Sequence, residues 1–300
     1  GATYYYCAIA QNAIGTGFGT VLSFTTTAAP TVVSNAATGI TSSGATLDGA
    51  ANPNLAVATG WFRYSTTSPG TCNDTFGTRA PAAGGAALGA GASPVGYTQP
   101  LSGLAPGTTF YYCAIASNSA GTGFGAVLSF STPATPTVTT VAASGVTSTS
   151  ATLDGTASPN LSSATGWFRY ASTSPGSCND TFGTRAPASG GSPLGAGGAA
   201  VSYSEPLAGL VPGTTYYFCA IASNAVGTGL GALLSFTTPA APVVTTSAAT
   251  LVASTTATLE GSANPGMSAT TGWFRYSATN PGACDDTFGL RAPSSGGSAL

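Results

Sequence analysis

Residues 104–118 read LAPGTTFYYCAIASN, and nearly the same letters return at 210–224 as LVPGTTYYFCAIASN. The chain also opens on them, because residues 1–12 read GATYYYCAIAQN. In the longer stretches a Pro-Gly turn comes first, and bulky and small side chains alternate behind it. That alternation is typical of a β-strand with one buried face. The stretch is therefore a repeated strand, and its spacing decides the architecture.

The cysteines give the period of the repeat. They follow one another at alternating intervals of 65 and 41 residues, so the period is 106. The six are Cys7, Cys72, Cys113, Cys178, Cys219 and Cys284. Trp61, Trp167 and Trp273 keep the same period, and each opens a Trp-Phe-Arg-Tyr segment. A unit of this length is too long for a solenoid repeat and has the size of a whole domain.

The period divides the chain into four segments. We predict a partial repeat with C-terminal strands at 1–27, complete repeats at 28–133 and 134–239, and a partial repeat with N-terminal strands and an insert at 240–300. The linker at 131–136 is short and carries two prolines, which predicts repeats held in line as a rod. Three whole periods would need 18 residues more than the 300 present. We expect a window on a longer repetitive chain, with strand complementation between subunits as the rival explanation.

Composition narrows the classes of function. Charged residues make up 5% of the chain, against roughly 25% in a typical soluble domain. The net charge of −2 and the lack of any basic stretch predict no binding to nucleic acid or to an anionic membrane. No apolar run is long enough to insert into a membrane. Low net charge favours association between copies, so we expect self-association.

Within one repeat the pattern predicts only strands. Short apolar segments lie between clusters of Gly, Pro, Asn and Ser, and no stretch has sustained helical periodicity. The expected strands lie at 32–33, 45–48, 61–64, 95–97, 110–116 and 126–130. Short strands separated by turn signals predict an all-β sandwich or barrel.

Several motifs resemble a bacterial fibronectin type III domain. Residues 104–112, Ala116-Ser117-Asn118, 121–125 and 129–132 are similar to its second half, and 150–155 and 168–170 are similar to its B and C strands. The resemblance runs through every copy. It implies tandem immunoglobulin-like sandwiches of seven strands, used as spacers, adhesive modules or scaffolds, with no single activity. Two features depart from the family: the paired cysteines, and a Gly/Ala-rich insert at roughly 71–94.

The cysteine pairing follows from the resemblance. Cys72 follows strand C and Cys113 lies on strand F, which are neighbours in that family. We therefore predict the disulfides Cys72–Cys113 and Cys178–Cys219, with links between neighbouring repeats, such as Cys7–Cys72, as the alternative. Cys7 and Cys284 then stay unpaired or pair with a neighbouring subunit or segment. Disulfides predict an oxidising compartment, so we expect an extracellular or cell-surface protein.

Strand alternation predicts an apolar patch on the outer face. If Phe62 and Tyr64 face the core, then Trp61 faces outward. On the neighbouring strand the same logic turns Tyr111 and Ile115 outward. An exposed apolar patch usually marks an interface; the candidate residues are Trp61, Tyr111, Ile115, Trp167, Tyr217, Ile221 and Trp273. We expect the insert to fold back over part of this patch, anchored by Phe76 and Leu88.

The polar motifs have structural explanations. The glycines of 121–125 fit a hairpin turn better than a nucleotide loop. The Asn-Asp pairs at 73–74 and 179–180 have too few carboxylates for calcium and predict a solvated loop, with the aspartate near Arg79 or Arg185. Asp48 and Arg63 are expected to form a cross-strand ion pair. The sequence pattern for N-glycosylation occurs at Asn73, Asn179 and Asn160.

Two classes of function remain. Without His or Lys no common nucleophile–base pair can form, so we expect no enzyme, no catalytic residue, no metal and no cofactor. The first class is a structural segment of a filament, sheath or surface fibre. The second is an adhesin stalk or a carbohydrate-binding spacer, in which the tryptophans would be sugar platforms. The expected partners are copies of the same chain or neighbouring repeats, and glycans.

Overall fold

The structure is a computed structural model that describes residues 1–300, and its regular structure is entirely β. The chain divides into two compact units, Gly1–Ala134 and Thr135–Leu300. This division lies one residue from the predicted boundary between 133 and 134. The other predicted boundaries, at 27/28 and 239/240, stay predictions from the repeat. No helix is present that is long and apolar enough to cross a membrane.

The first unit contains thirteen strands. They are β1 (Thr3–Tyr6), β2 (Ile9–Gln11), β3 (Thr16–Phe18), β4 (Leu22–Thr25), β5 (Thr31–Thr38), β6 (Gly44–Asn52), β7 (Ala58–Ser65), β8 (Thr78–Ala80), β9 (Ala86–Gly89), β10 (Val95–Ser102), β11 (Thr109–Asn118), β12 (Gly121–Phe124) and β13 (Leu128–Ser131).

The second unit contains fifteen strands. They are β14 (Thr137–Ser144), β15 (Ser150–Ser158), β16 (Ala164–Ala171), β17 (Thr184–Ala186), β18 (Ser192–Gly195), β19 (Val201–Ala208), β20 (Thr215–Ser223), β21 (Thr228–Leu230), β22 (Leu234–Thr237), β23 (Val243–Thr250), β24 (Thr258–Asn264), β25 (Thr271–Gly272), β26 (Phe274–Tyr276), β27 (Leu290–Ala292) and β28 (Ser298–Ala299).

Strands β5 to β13 form a sandwich of two antiparallel sheets. One sheet has the order β10-β6-β5. In the other, β11 lies between β7 and the pair β12 and β13, and β7 also carries the short strands β8 and β9. Strands β14 to β22 repeat the same arrangement. This strand order is that of a fibronectin type III-like sandwich, so the predicted fold class is confirmed.

The core lies between the two sheets. Along β6 buried and half-buried residues alternate strictly, with Ala45, Leu47 and Ala51 on the inner side. Phe62 and Tyr112 meet them from the opposite sheet and are almost completely buried. Burying a large apolar side chain of this kind contributes about 1.5–3 kcal/mol. The thirteen buried residues of this core therefore act together to stabilise the sandwich.

The two sheets approach closely where β6 carries Gly49. A Cβ atom at this position would come within 2.7 Å of the Cβ atom of Ala114 on β11. Glycine is therefore required at this point for the inner faces to meet. The second complete repeat has Gly155 and Ala220 at the same distance.

The partial repeats contain the same strands without their partners. In residues 1–27, β1 pairs with β4 and β2 pairs with β3. In residues 240–300, β23 pairs with β24, β25 with β28, and β26 with β27. In residues 1–27 the aromatic residues Tyr4, Tyr6 and Phe24 are more than half exposed. In residues 240–300 Phe274 is half-buried and Tyr276 is 48% exposed.

Candidate functional site: the insert over the tryptophan face

The insert is tied to the sheet by a disulfide. Cys72, just after β7, is bonded to Cys113 on β11 with a Cα–Cα distance of 6.0 Å. Cys178 and Cys219 are bonded in the same way at 5.9 Å. Both bonds lie within one repeat, and the alternative that links neighbouring repeats is not formed. Cys7 and Cys284 have free, exposed thiols.

A small apolar cluster lies on the outer face of the sheet. Trp61, Cys113 and Ile115 form it, and Phe76 and Cys72 of the insert pack against it. Trp61 is 7% exposed and Ile115 is fully buried. The predicted orientation of these side chains agrees with the structure, but the predicted exposure is wrong for both. Their cover is the insert of the same repeat, so they are not free to form an interface.

The second repeat has the same covered face. Trp167 and Ile221 are buried with Cys219 under Phe182. Tyr111 and Tyr217, predicted for the same patch, are half-buried. Trp273 is 41% exposed, since no strand equivalent to β11 lies beside it.

One predicted anchor of the insert is right and the other is wrong. Phe76 packs on the outer cluster as expected. Leu88 belongs instead to the main core between the sheets. The reason is that β9 pairs with β7 and directs Leu88 toward Gly60 and Tyr97, on the inner side. The insert thus contributes side chains to both faces of the sheet.

Asp74 holds the insert against β7. One of its carboxylate oxygens accepts a hydrogen bond from the indole Nε1 of Trp61 at 2.8 Å. The same oxygen accepts one from Nε of Arg63 at 3.0 Å. Arg63 also donates from Nη1 to the backbone oxygens of Phe76 and Gly77. A single carboxylate therefore fixes both outward side chains of the strand and the loop above them.

Arg79 closes the cluster from above. Its guanidinium lies over the ring of Trp61, 4.6 Å from the centroid, a cation–π arrangement. It also donates to the backbone oxygens of Pro81 and Gly84, which fixes the next turn of the insert. With Arg79 over the ring and Phe76 packed beside it, Trp61 has no free aromatic face for a sugar.

These contacts correct two predictions about charge pairs. Asp48 and Arg63 do not pair, because β6 and β7 belong to different sheets; Asp48 accepts from Nδ2 of Asn35 instead. The partner of Asp74 is Arg63 and not Arg79. In the second repeat the partner of Asp180 is likewise Arg169 and not Arg185, which lies over Trp167.

The asparagine before Asp74 forms a tight turn. Oδ1 of Asn73 accepts from the backbone N–H groups of Thr75 and Phe76 and from the hydroxyl of Thr75. Asn179 does the same in the second repeat. Nδ2 of Asn160 donates to the backbone oxygen of Thr135 at 2.6 Å. Glycosylation at these three asparagines stays a prediction.

The third copy of the cluster, in residues 273–291, forms without a counterpart of β11 beside it. Trp273 and Arg275 both donate to one oxygen of Asp286, at 2.9 Å each. Arg291 lies over the Trp273 ring at 4.6 Å. The hydrogen bond from Trp273, followed by that from Arg275, lowers the pKa of Asp286. The insert therefore packs against the counterpart of β7 alone, and in the complete repeats the disulfide to β11 is an additional tie.

Aspartate replaces the turn asparagine in this third copy. Asp285 accepts from the backbone and hydroxyl of Thr287 and from the backbone of Phe288. The bonds from Thr287 come first in lowering the pKa of this carboxyl. The turn is therefore kept, with a charged acceptor in place of a neutral one.

Sequence reasoning missed this cluster, although a signal was present. All six cations of the chain are arginines, and they fall at only two positions of the period. Each copy also has an aspartate 13 residues after the tryptophan. In a chain with so little charge, a fixed set of two arginines and one aspartate around a tryptophan predicts that the four groups meet.

The remaining chemistry of the described chain is sparse. No three His, Cys, Asp or Glu side chains gather where they could hold a metal ion. The hydroxyl groups of Tyr97 and Tyr203 donate to the backbone oxygens of Ile115 and Ile221. Burial raises the pKa of both tyrosines. The contacts among the aspartate, the two arginines and the tryptophan of each copy are suited to holding the insert against the sheet.

Comparison with known proteins finds similarity among solved structures only. No protein-family model and no curated protein matches the chain. Among solved structures, the crystal structure of the chicken CNTN1 FN1-FN3 domains is 18% identical, with 79% of this chain and 75% of that chain covered and a TM-score of 0.27. The fibronectin type III-like fold is established by the strand order of the two complete repeats.

Proposed function

We propose that the chain is a structural segment of an extracellular filament, sheath or cell-surface fibre built from tandem disulfide-stabilised β-sandwich repeats. The observation that carries the proposal is the sealed tryptophan face. In both complete repeats the disulfide and the Asp–Arg–Trp contacts close the insert over the sheet. A module that covers its own apolar faces suits a stable spacer better than a receptor with an open cleft.

The charge distribution supports association between copies. All the arginines are used within the repeats, in contacts with aspartates, backbone oxygens and tryptophans. What remains outside is a surface of Thr, Ser, Ala and Gly with little charge to keep copies apart. The proposed partners are copies of the same chain or neighbouring repeats, and glycans at the surface.

The compartment and the lack of catalysis are part of the same proposal. Each complete repeat contains one disulfide. Disulfides favour an oxidising location, outside the cell or on its surface. The carboxylates of Asp48 and Asp154 bind polar side chains of the adjacent strand, which supports a structural role for them.

The alternative is an adhesin stalk or a carbohydrate-binding spacer. The carbohydrate version depended on open tryptophan platforms, and the burial of Trp61 and Trp167 argues against it. A stalk would need the same stable repeats as a filament. A stalk and a filament therefore differ only in how many copies of the chain are arranged relative to one another.

Immunogold electron microscopy of intact cells and isolated surface material tests the proposal. An antibody raised against the purified chain is expected to place gold at regular intervals along filaments of uniform width. The control is the same antibody absorbed beforehand with the purified chain. Labelled stalks that rise singly from the surface would favour the alternative, and label confined to the cytoplasm would sink both.

A further inference from the structure

The chain leaves each complete repeat through an exit segment that is bound to that repeat. In the first, the backbone N–H of Gly107 donates to the backbone oxygens of Thr132 and Pro133, at 3.1 and 3.3 Å. The side chain of Thr132 is buried. Its hydroxyl donates to the backbone oxygen of Ala105 at 2.7 Å and accepts from the N–H of Thr108 at 3.0 Å. The exit segment is therefore fixed as far as Pro133.

The second complete repeat binds its exit segment in the same way. The N–H of Gly213 donates to the backbone oxygens of Thr238 and Pro239, at 3.0 and 3.3 Å. The hydroxyl of Thr238, a buried residue, donates to the backbone oxygen of Val211 at 2.7 Å. Here the exit segment is fixed as far as Pro239, one period after Pro133.

The chain enters a repeat through an entry segment that asparagines of the same repeat hold. In the first complete repeat, Nδ2 of Asn118 donates to the backbone oxygen of Ala28 at 2.7 Å. Nδ2 of Asn54, in the hairpin between β6 and β7, donates to the backbone oxygen of Ala29, also at 2.7 Å. The entry segment is therefore fixed from Ala28 onward, the first residue of the repeat.

Asn160 holds the entry segment of the second complete repeat. Its Nδ2 donates to the backbone oxygen of Thr135 at 2.6 Å and to the hydroxyl of Thr137 at 3.1 Å. Its Oδ1 accepts from the hydroxyl of Ser158 at 2.7 Å, so both donors and the acceptor of the amide are bonded. The φ of Asn160 is 52.9° rounded to 53°, a left-handed conformation that Asn and Gly adopt more readily than other residues.

No residue is left over between the exit segment of the first complete repeat and the entry segment of the second. The period of 106 carries Ala28 to Ala134, which directly follows Pro133. A linker bends freely only where backbone torsion angles can change without breaking contacts, and proline also restricts its own φ. The spacing therefore leaves no position for a hinge.

The same succession is present inside the second compact unit, at the start of residues 240–300. Pro239 accepts from Gly213 of the repeat before it, and the N–H of Ala240 donates to the backbone oxygen of Gly266 in the repeat after it, at 2.8 Å. Ala240 also lies close to the turn, because a Cβ atom at Gly213 would come within 3.0 Å of the Cβ atom of Ala240. Two adjacent residues are thus bound by two different repeats.

We propose that successive repeats of this chain are coupled without a hinge, through adjacent exit and entry segments that are bound to different repeats. The proposal rests on the proposed filament function and deepens it. A stiff joint passes bending and tension from one repeat to the next, whereas repeats on flexible linkers turn independently. Between the two complete repeats, the residues assigned to the joint are Gly107 and Thr132 on one side and Asn160 on the other.

The spread of distances between two spin labels tests the joint. Thr98 and Ser204 are exposed at equivalent positions of β10 and β19, so the Thr98→Cys, Ser204→Cys chain carries one nitroxide on each complete repeat. The background is Cys7→Ser, Cys284→Ser, because both thiols are exposed and would also be labelled. Pulsed electron paramagnetic resonance is recorded with the labelled chain diluted in unlabelled chain, so that only distances within one molecule contribute.

A second pair of labels inside one repeat gives the reference width. Ser129 is exposed on β13 of the first complete repeat, so Thr98→Cys, Ser129→Cys reports the motion of the labels alone. We expect the distribution across the joint to be at most about twice as wide as this reference, because a linker without free residues adds little spread. A wider distribution, or several separate maxima, would overturn the proposal.

An insertion shows what a hinge would look like. Gly-Ser-Gly-Ser placed between Pro133 and Ala134 adds a flexible segment with a root-mean-square span of about 10–12 Å, and the distribution should widen by a comparable amount. The insertion lies between the two complete repeats, so it leaves their strands and disulfides in place. A distribution that stays narrow after the insertion would show that the exit and entry segments do not make the joint stiff.

A matched pair of point variants tests the amide of Asn160. Asn160→Gly keeps a residue suited to the left-handed backbone and removes the amide, so it should widen the distribution by less than the insertion does. Asn54→Gly makes the same exchange one period earlier, at the entry of the first complete repeat, and should leave the width unchanged. Equal widths for the two variants would contradict the assignment of Asn160 to the joint.

Loss of the joint is separable from loss of the fold and from failure of the proposed function. Circular dichroism shows whether the complete repeats of each variant remain folded. If the joint is flexible but antibody still labels regular filaments, the filament is held by contacts between chains and only this inference falls. If the joint is stiff but no labelled filament is found, the repeats are rigidly coupled and their proposed biological setting is wrong.

Discussion

Asp74 is the residue on which the closed insert depends most. One of its oxygens accepts from Trp61 and from Arg63, and its side chain is 43% exposed. Hydrogen bonds to a charged group contribute roughly 1.5–3 kcal/mol when buried, and water reduces this for a half-exposed one. Removing the carboxylate also leaves a buried indole N–H without its partner.

We expect Asp74→Ala to destabilise the first complete repeat by about 1–2 kcal/mol. Hydrogen exchange measured by mass spectrometry on β7 reports the change, and β16 of the same molecule is the internal reference. Asp48→Ala is the matched control, with an expected cost of about 0.5 kcal/mol or less, since Asp48 binds only a surface asparagine. Equal costs for the two variants would show that Asp74 has no special role.

Tyr112 provides a second test at the scale of one atom. Its hydroxyl donates to the backbone oxygen of Asn35 at 2.6 Å, whereas the equivalent residue in the next repeat is Phe218. Tyr112→Phe should therefore cost about 0.5–1.5 kcal/mol, and Phe218→Tyr should stabilise its repeat. Urea unfolding in a Trp167→Phe, Trp273→Phe background, followed by fluorescence of Trp61, measures the first change. Opposite signs for the two exchanges are required.

Strong acid should loosen the third insert. The pKa values of Asp285 and Asp286 lie below the usual 3.8, held down chiefly by hydrogen bonds from Thr287 and Trp273. For carboxyls with a lowered pKa, the stabilisation is present above the unfolded value and is lost as pH falls through the folded value. Side-chain carboxyl NMR titration should give midpoints below 3.8 for both.

The Asp285→Asn variant is the control for this titration. It restores the residue of the first two copies, where Asn73 and Asn179 accept the same hydrogen bonds without a charge. One of the two titrations should then disappear while the turn persists. Midpoints at or above the ordinary value in the parent chain would mean that the turn is not formed in solution.

At the scale of elements, the insert has two independent ties. The disulfide closes a loop of 41 residues between the end of β7 and β11. In the chain-entropy model such a loop stabilises a domain by about 4 kcal/mol. The Asp–Arg–Trp contacts are a separate tie, because the third copy makes them without strand F.

Removing the disulfide should therefore weaken the sandwich without opening the insert. The Cys72→Ala, Cys113→Ala variant is expected to lose about 4 kcal/mol of unfolding free energy while Trp61 keeps the fluorescence of a buried indole. Urea unfolding and the emission maximum are read on the same samples, in a Trp167→Phe, Trp273→Phe background that leaves Trp61 as the one tryptophan fluorophore. The matched variant in the second repeat is Cys178→Ala, Cys219→Ala in a Trp61→Phe, Trp273→Phe background. A red shift to solvated tryptophan before unfolding would show that the contacts alone cannot hold the insert.

The sequence predicts the strands and the faces of their side chains better than it predicts which of those side chains the insert buries. Alternation along β7 and β11 was sufficient to assign each side chain to a face, as Phe62 and Trp61 demonstrate. It could not reveal that Trp61 is buried, because burial on the outer face depends on a Gly-rich insert with no periodicity. Leu88 was assigned to the wrong face for the same reason: pairing of β9 with β7 is a tertiary contact.

At the scale of the whole chain, the period of 106 predicted the two complete sandwiches, which fold with the same strand order and the same disulfide. Charge pairs were harder to predict, because the partner of Arg63 lies on the insert and not on a neighbouring strand.

The two complete repeats are nearly identical, so they should unfold at the same force when the chain is stretched. A segment of a filament would have to resist such tension.

Stretching single molecules of the whole chain tests that expectation. Each disulfide keeps the 41-residue interval between its cysteines from extending, so reduction should lengthen each unfolding step by roughly 140 Å at about 3.5 Å per residue. Two equal steps are expected, one for each complete repeat, and the partial repeats should contribute no comparable force peak because their cores are open. The Cys72→Ala, Cys113→Ala variant should show one long and one short step without reductant. Steps of unchanged length after reduction would mean that the disulfides do not lie in the path of the force, and the case for a tension-bearing segment would lose its mechanical basis.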